Sequence, residues 1–281
     1  MNFFPLKKKL DNMHYLSFLL ISLTGVCFFC QSNFILAQSR TEVLKMETCW
    51  SYNIENNVPA TSGSVSRQIE YNDQGKKTKE TSYKKNGVIA YEYFFQYSLN
   101  TRETYWKLLD RTKVKSETEI YNQGGQLLER IRYGTDGKIR DKITVVYENG
   151  EKKEETYFNK LNEITYRINY SYNKEQQTIR ESYTSYKGEA KTNGAIDLDS
   201  NGLTKSYEEY ELSGPLIRSI KYERDEEGRI LVKSIFAADK TLELKEVYEY
   251  TENERHYSVY INGGTELIEH VIYKYNYYQN K

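Results

Sequence analysis

Tyr71-Asn72-Asp73-Gln74-Gly75 opens a stretch that closes on a second aromatic residue, Tyr83. Asn and Asp open turns by bonding to nearby backbone, and Gly closes them because it accepts positive φ. The block returns as Tyr83-Lys84-Lys85-Asn86-Gly87, Tyr121-Asn122-Gln123-Gly124-Gly125 and Tyr133-Gly134-Thr135-Asp136-Gly137. Leu198-Asp199-Ser200-Asn201-Gly202 and Arg224-Asp225-Glu226-Glu227-Gly228 keep the turn without the aromatic, while Tyr260-Ile261-Asn262-Gly263-Gly264 keeps the aromatic and the Gly. Weaker copies begin at Tyr97, Tyr147, Phe158, Tyr172, Tyr186, Leu212, Phe236 and Tyr250. The spacing is an internal period of about 12 to 14 residues. A turn consumes four or five of these and leaves roughly seven to nine, an ordinary strand.

The intervening segments alternate. Ile131, Tyr133, Ile143, Val145 and Tyr147 fall at odd positions, with Arg130, Arg132, Lys142 and Thr144 between them. Ile164, Tyr166, Ile168, Tyr170 and Tyr172 are likewise spaced by two. Period two argues strand, and short connections make neighbours antiparallel. The expected fold is all-β: an antiparallel β-meander of hairpin repeats in an extended, twisted or curved sheet, with roughly fourteen to eighteen strands. Leu108 to Ser116 contains no clear turn, although Leu109 to Lys113 falls in phase. Gly188 to Ala195 reads as a longer loop or slack hairpin and as the one plausible boundary between two halves.

Composition narrows the function classes. The 281 residues carry 40 basic and 40 acidic side chains, so no basic excess points to nucleic acid. There are 28 Tyr beside 10 Phe and 2 Trp, and 38% of residues are hydrophobic. That suits a thin, Tyr-lined sheet better than a thick apolar core. Lys7, Lys8 and Lys9 precede an apolar run from Leu16 to Phe29 and a small residue at Ala37. Residues 1–37 therefore read as a signal peptide, and Gln38 would begin the mature chain. The expected division is signal 1–37, an irregular segment 38–64 and a repeat domain 65–281. Within 38–64, Glu42 to Tyr52 is a first strand or a short helix, and Asn56 to Ser64 is a loop by composition. No membrane span is expected in the mature chain, and the expected location is the periplasm, outer surface or exterior. Cys27 and Cys30 leave with the signal, so Cys49 stays without a disulfide partner, as a small apolar residue.

The blocks Tyr71-Asn72-Asp73-Gln74-Gly75-Lys76, Leu198-Asp199-Ser200-Asn201-Gly202-Leu203 and Asp225-Glu226-Glu227-Gly228-Arg229-Ile230 resemble the YD-repeat (Rhs-like) family. The resemblance covers about residues 65–281. It implies a β-hairpin repeat sheet, which in long arrays curves into a shell around a toxin. This chain has too few repeats for a large shell, so a small open or curved sheet is the expectation. The apolar run ending in Ala37-Gln38 resembles secretory signals of the Bacteroidetes type. Tyr147 to Tyr157 also looks like a MORN repeat, although those repeats use more Gly than the 16 here.

Three groupings could carry chemistry. Asp197, Asp199, Asn201 and Glu208, with Gly202, fit the calcium-loop pattern D-x-[DN]-x-[DN]-G-x5-E. The same residues are also a repeat turn in phase with its neighbours, which accounts for Asp199, Asn201 and Gly202 without an ion. No metal or cofactor is expected. His256 and His270 are one repeat apart, placing them at equivalent positions on nearby strands, but no Cys or third His joins them. Ser258 shares a strand face with His256, but no small-residue elbow surrounds it. In the pairs Glu154-Glu155, Glu208-Glu209 and Glu226-Glu227, strand neighbours would point to opposite faces, and they read as solvated-face or turn residues.

The remaining feature is a possible ladder of Tyr133, Tyr147, Tyr157, Tyr172 and Tyr183. If exposed, it would bind a glycan or a protein edge. The expected function is binding or scaffolding at the cell envelope through this aromatic face, without catalysis. The alternative is an immunity-like or structural part of a repeat-toxin system. Protein or glycan is the expected partner, and the oligomeric state stays open.

Overall fold

The computed structural model describes residues 43–108 and 112–277. The expected signal peptide lies outside them. Among the described residues there are eighteen strands. They run β1 (Leu44–Glu55), β2 (Val58–Tyr71), β3 (Lys77–Tyr83), β4 (Ile89–Ser98), β5 (Thr101–Leu108), β6 (Val114–Tyr121), β7 (Leu127–Tyr133), β8 (Ile139–Glu148) and β9 (Glu151–Asn159). They continue as β10 (Ile164–Asn173), β11 (Thr178–Ser185), β12 (Ala190–Leu198), β13 (Thr204–Glu211), β14 (Leu216–Arg224), β15 (Ile230–Ala237), β16 (Leu242–Tyr250), β17 (Glu254–Ile261) and β18 (Glu266–Tyr277).

Each strand pairs antiparallel with its sequence neighbours, and β1 also pairs with β18. Thus Cys49 stands between Tyr273 on one side and Arg67 on the other. The meander closes into an 18-stranded barrel with no free edge. This corrects the expected open or curved sheet: the repeats suffice to close a ring of their own. The strand closing the ring comes from the segment expected to be irregular. Residues 56–64, expected as a loop, are the Asn56-Asn57 turn and the start of β2, and Pro59 sits opposite Ile54. The backbone turns there because Asn56 and Asn57 both adopt positive φ, 52° and 65°.

The repeat block is a turn with one hydrogen-bond pattern. Asn72 N–H donates to Lys76 O and Gly75 N–H to Asn72 O, both at 2.9 Å. The Asn72 side chain accepts from Gln74 N and Lys76 N, at 3.1 and 2.9 Å. Gly75 stands at φ 71°. The degraded copies keep this pattern with other residues. At Asn159 the left-handed position is filled by Asn162, φ 61°. Tyr97 and Tyr147 instead precede tight two-residue connections, Leu99-Asn100 and Asn149-Gly150. Gly188 to Ala195 is not a boundary, because Gly188 lies in a turn and β12 pairs with both neighbours. Gly194 is needed for close approach. A Cβ there would stand 2.8 Å from Glu181 Oε2 and 3.0 Å from the Tyr207 ring.

Candidate functional site

The ladder registers trace two faces around the ring. On the concave face Arg130 stands opposite Ile143, Ile143 opposite Tyr157 and Tyr157 opposite Tyr166. Further round, Tyr207 meets Ile220, and Ile220 meets Ile235. Apart from Arg130, these residues belong to two buried clusters, one around Ile168 and one around Ile220. Between the apolar patches the inward wall is charged. Glu119 and Glu155 are each 1% exposed.

A short sequence pattern builds this wall. In Glu119-x-Tyr121, Glu155-x-Tyr157, Glu181-x-Tyr183 and Glu246-x-Tyr248, the period of two puts both side chains inward. In each pair the phenol donates to the carboxylate, at 2.6, 2.7, 2.9 and 2.6 Å. Cations complete three of the groups: Arg130 reaches Glu119 at 2.8 Å, Lys152 reaches Glu155 at 2.6 Å and Lys233 reaches Glu246 at 2.8 Å, while Arg218 reaches the inward Glu209 at 2.7 Å. Burial, with neighbouring carboxylates, pushes the phenols of Tyr157, Tyr183 and Tyr248 above their usual range. Burial likewise raises Glu181. The wall is largely self-satisfied, so these groups hold the barrel together.

The expected Tyr ladder is not one exposed platform. Tyr157 and Tyr183 are 8% and 9% exposed and face inward, and Tyr147 packs on the same cluster. Tyr133 faces outward, where its hydroxyl meets Thr118 Oγ1 at 3.3 Å and Lys115 lies over its ring. A bulge between Arg132 and Tyr133 separates the two faces. The aromatic residues are needed inside a closed ring, which an open-sheet reading could not anticipate.

The convex face is polar. One outward row reads Ile120, Glu129, Thr144, Thr156, Arg167, Thr184. A membrane barrel instead turns an apolar band outward. No helix among the described residues is long and apolar enough to cross a membrane.

Two outward features could do chemistry. The first is a shallow depression across β9–β13, lined by Asn169, Ser171, Arg180, Ser182, Asn193 and Tyr210. The register aligns Asn169 with Ser182, Ser182 with Asn193 and Asn193 with Tyr210. The amides of Asn169 and Asn193 make no side-chain hydrogen bond to the described residues. The floor is low because Ser171 and Ser182 are small. Single-residue reading missed this row; only pairing brings Asn169 and Asn193 within two strands of each other.

The second is at the seam. Ser258 and His270 are direct partners, with Oγ 2.9 Å from Nδ1. The His256 and His270 rings stand edge to face at 5.9 Å, and Tyr52 meets His270 at 5.5 Å. His256 Nε2 lies 3.2 Å from Glu254. The expected nearness of the two His residues is observed, but no group of three or more metal-ligating side chains occurs among the described residues. Ser258 bonds His270 rather than His256, and the β17 and β18 backbone groups are spent on the ladder.

Burial chiefly, and then the charge of His256, hold His270 below its usual value, with Glu249 opposing. The unfolded chain therefore binds this proton first as pH falls. The stabilising contribution is present above about pH 6.5 and is lost as pH drops through the folded value. The stability difference between the parent and His270→Gln should shrink below about pH 6. A difference independent of pH in denaturant titrations would refute this.

The calcium pattern does not converge. Asp199 Oδ1 accepts from Asn201 N and Leu203 N, both at 2.9 Å, as an ordinary turn. Asp197 accepts from Ser206 at 2.8 Å, and Glu208 is taken by Tyr210 further along β13. Glu208 stands opposite Ala195, beyond Asp197 along the ladder. Glu154-Glu155 and Glu208-Glu209 split between the two faces as expected, but Glu155 is buried at 1% exposure rather than on a solvated face, because its face turns into the closed ring. Cys49 is 6% exposed and accepts from Ser66, and burial raises its thiol.

No family model and no curated protein matches the chain. Among solved structures, it is similar to a porin-like protein from Bacteroides uniformis, with 10% identity and a TM-score of 0.43, covering 84% of this chain and 98% of that one. A protein of unknown function from Bacteroides fragilis has 14% identity and a TM-score of 0.23, covering 42% of this chain and 86% of that one. The Photorhabdus luminescens Tc holotoxin pore has 10% identity and a TM-score of 0.24, covering 77% of this chain and 15% of that one. At scores this low, what the barrel does must follow from its own residues.

Proposed function

We propose that the chain is an exported, non-catalytic binding barrel of the cell envelope that takes a glycan across the outward face of β10–β13. One observation carries this reading: the amides of Asn169 and Asn193 share one cross-strand row, open outward, with Ser182 between them and Tyr210 at its end. Strands are about 4.8 Å apart, so the row offers donors and acceptors at a spacing close to that of successive sugar rings. Tyr210 supplies a ring face at the edge. The recurrent Asn/Asp-to-Gly turns support reading the chain as a short, closed relative of YD-repeat hairpin proteins.

Binding of the chain from Gln38 onward to a glycan array tests this. Asn169→Ala with Asn193→Ala should weaken binding about tenfold or more, because two neutral hydrogen bonds are lost. Both amides stand outside the buried clusters, so stability should stay within about 0.5 kcal/mol. Undiminished binding by the double variant would sink the proposal. Capture of a protein and no glycan would favour the immunity-like role in a repeat-toxin system.

A further inference from the structure

Four inward residues lie on one row at the seam: Arg255 opposite Tyr273, Tyr273 opposite Cys49 and Cys49 opposite Arg67. The row starts at Arg255, the second residue of β17, by the mouth where β1 and β17 begin and β2 and β18 end, and reaches mid-strand at Cys49. The Arg255 guanidinium lies 4.1 Å from the centre of the Tyr273 ring, and Arg67 approaches the same ring at 6.0 Å. Arg255 Nε is buried without a hydrogen-bond partner, and its guanidinium makes no ion pair among the described residues. Arg67 has Glu80 at 3.8 Å, beyond hydrogen-bond length, and Glu80 is already held by Lys77. In the next row Glu47, 7% exposed, stands between Tyr275 and Ile69.

Counting this mouth on β17, β18, β1, β2 and β3, the inward cations are Arg67, Lys77 and Arg255, and the inward carboxylates are Glu47 and Glu80. One positive charge remains. Burying a guanidinium is costly unless its donors are met. Stacking on the Tyr273 ring face favours its charge and leaves Nε unsatisfied. The Arg67 side chain is 33% exposed and Arg255 is half-buried, so a small solute can reach both.

We propose that this mouth is a binding site for a small oxyanion, carrying a carboxylate, sulfate or phosphate group, gripped by the planar fork of Arg255 with Arg67 as the second cation. Arg suits the role because its donors match two oxygens at once. The site is inward and on the seam, separate from the outward row on β10–β13, so either can fail without the other.

The full chain is titrated with acetate, sulfate and phosphate against chloride at fixed ionic strength, which holds screening constant. Saturable binding of at least one is expected, and the three arms identify the group. Arg255→Gln should weaken it about tenfold or more. Arg255→Lys, which keeps the charge and loses the fork, should also weaken it and serves if the Gln variant fails to fold. Arg167→Gln, on the outward face, should bind as the parent does. No saturable binding of any of the three ions overturns the proposal, as does unchanged affinity in both Arg255 variants.

Discussion

Glu119→Gln is expected to destabilise the barrel by about 3 kcal/mol, the lower end for removing one partner of a buried ionic group. Glu119 is 1% exposed and inward. It accepts from Arg130 Nε at 2.9 Å and Nη2 at 2.8 Å, from Arg102, and from the Tyr121 hydroxyl at 2.6 Å. Glutamine keeps the shape and loses the charge, leaving two half-buried guanidinium groups short of an acceptor. Glu117 sets the lower end. It lies 3.8 Å from Arg102 and 3.7 Å from Arg130 and can take over part of the pairing. Burial, reinforced by Glu119, raises Glu117 above the usual carboxylate range. Its ionisation therefore opposes folding as pH rises through the folded value, and removing Glu119 relieves some of that strain. Urea denaturation reads the effect as a lower midpoint at unchanged slope. Replacing Glu117, Glu119, Arg102 and Arg130 together by apolar residues of similar size should recover most of the loss, because removing the whole ionic group also removes its desolvation cost. A loss below about 1 kcal/mol for Glu119→Gln would mean that the cluster is hydrated.

The turns were legible in the sequence because their chemistry is local. Asn72 and Gly75 announce the hairpin within five residues, and the copies at Asn122, Asp199 and Asp225 repeat its bonds. Even the copy at Asn159 could be found by phase, although Asn162 replaces Gly. Strand number followed from the period. Closure did not, because the pairing of β1 with β18 joins Thr48 to Lys274 and has no local signal. Nor did facing: whether an alternating strand turns its Tyr inward depends on whether the sheet closes. The Glu-x-Tyr pattern was present at Glu119, Glu155, Glu181 and Glu246, and it marks the inward face once the ring is known. The candidate sites were hidden for the same reason. Arg67 and Arg255, or Asn169 and Asn193, become neighbours only through the ladder register.

Thr48→Pro is the test of closure, with an expected loss of about 3 kcal/mol or more, comparable to proline inside any regular hydrogen-bonded element. Thr48 is 8% exposed and central in β1, with Lys274 on one side and Gln68 on the other. Proline removes the N–H that one of these partners needs, and such residues survive in sheets only at edges, first positions or bulges. Pro59 obeys that rule, lying at the second residue of β2 beside a register shift. In a closed ring β1 is the sole link between β2 and β18, so loosening it frees two long edges at once. Free edges template pairing with other chains, and the variant should form larger assemblies than the parent as well as lose stability. Amide hydrogen exchange separates this from global damage. Protection should fall in β1, β2 and β18 and persist in β10–β13, since the latter pair only with each other and with β9 and β14. An open meander predicts a different result: its terminal strand would fray alone, and β18 would already exchange quickly in the parent. Rapid exchange of β18 in the parent chain, or unchanged protection of β18 in the variant, would contradict the closed barrel.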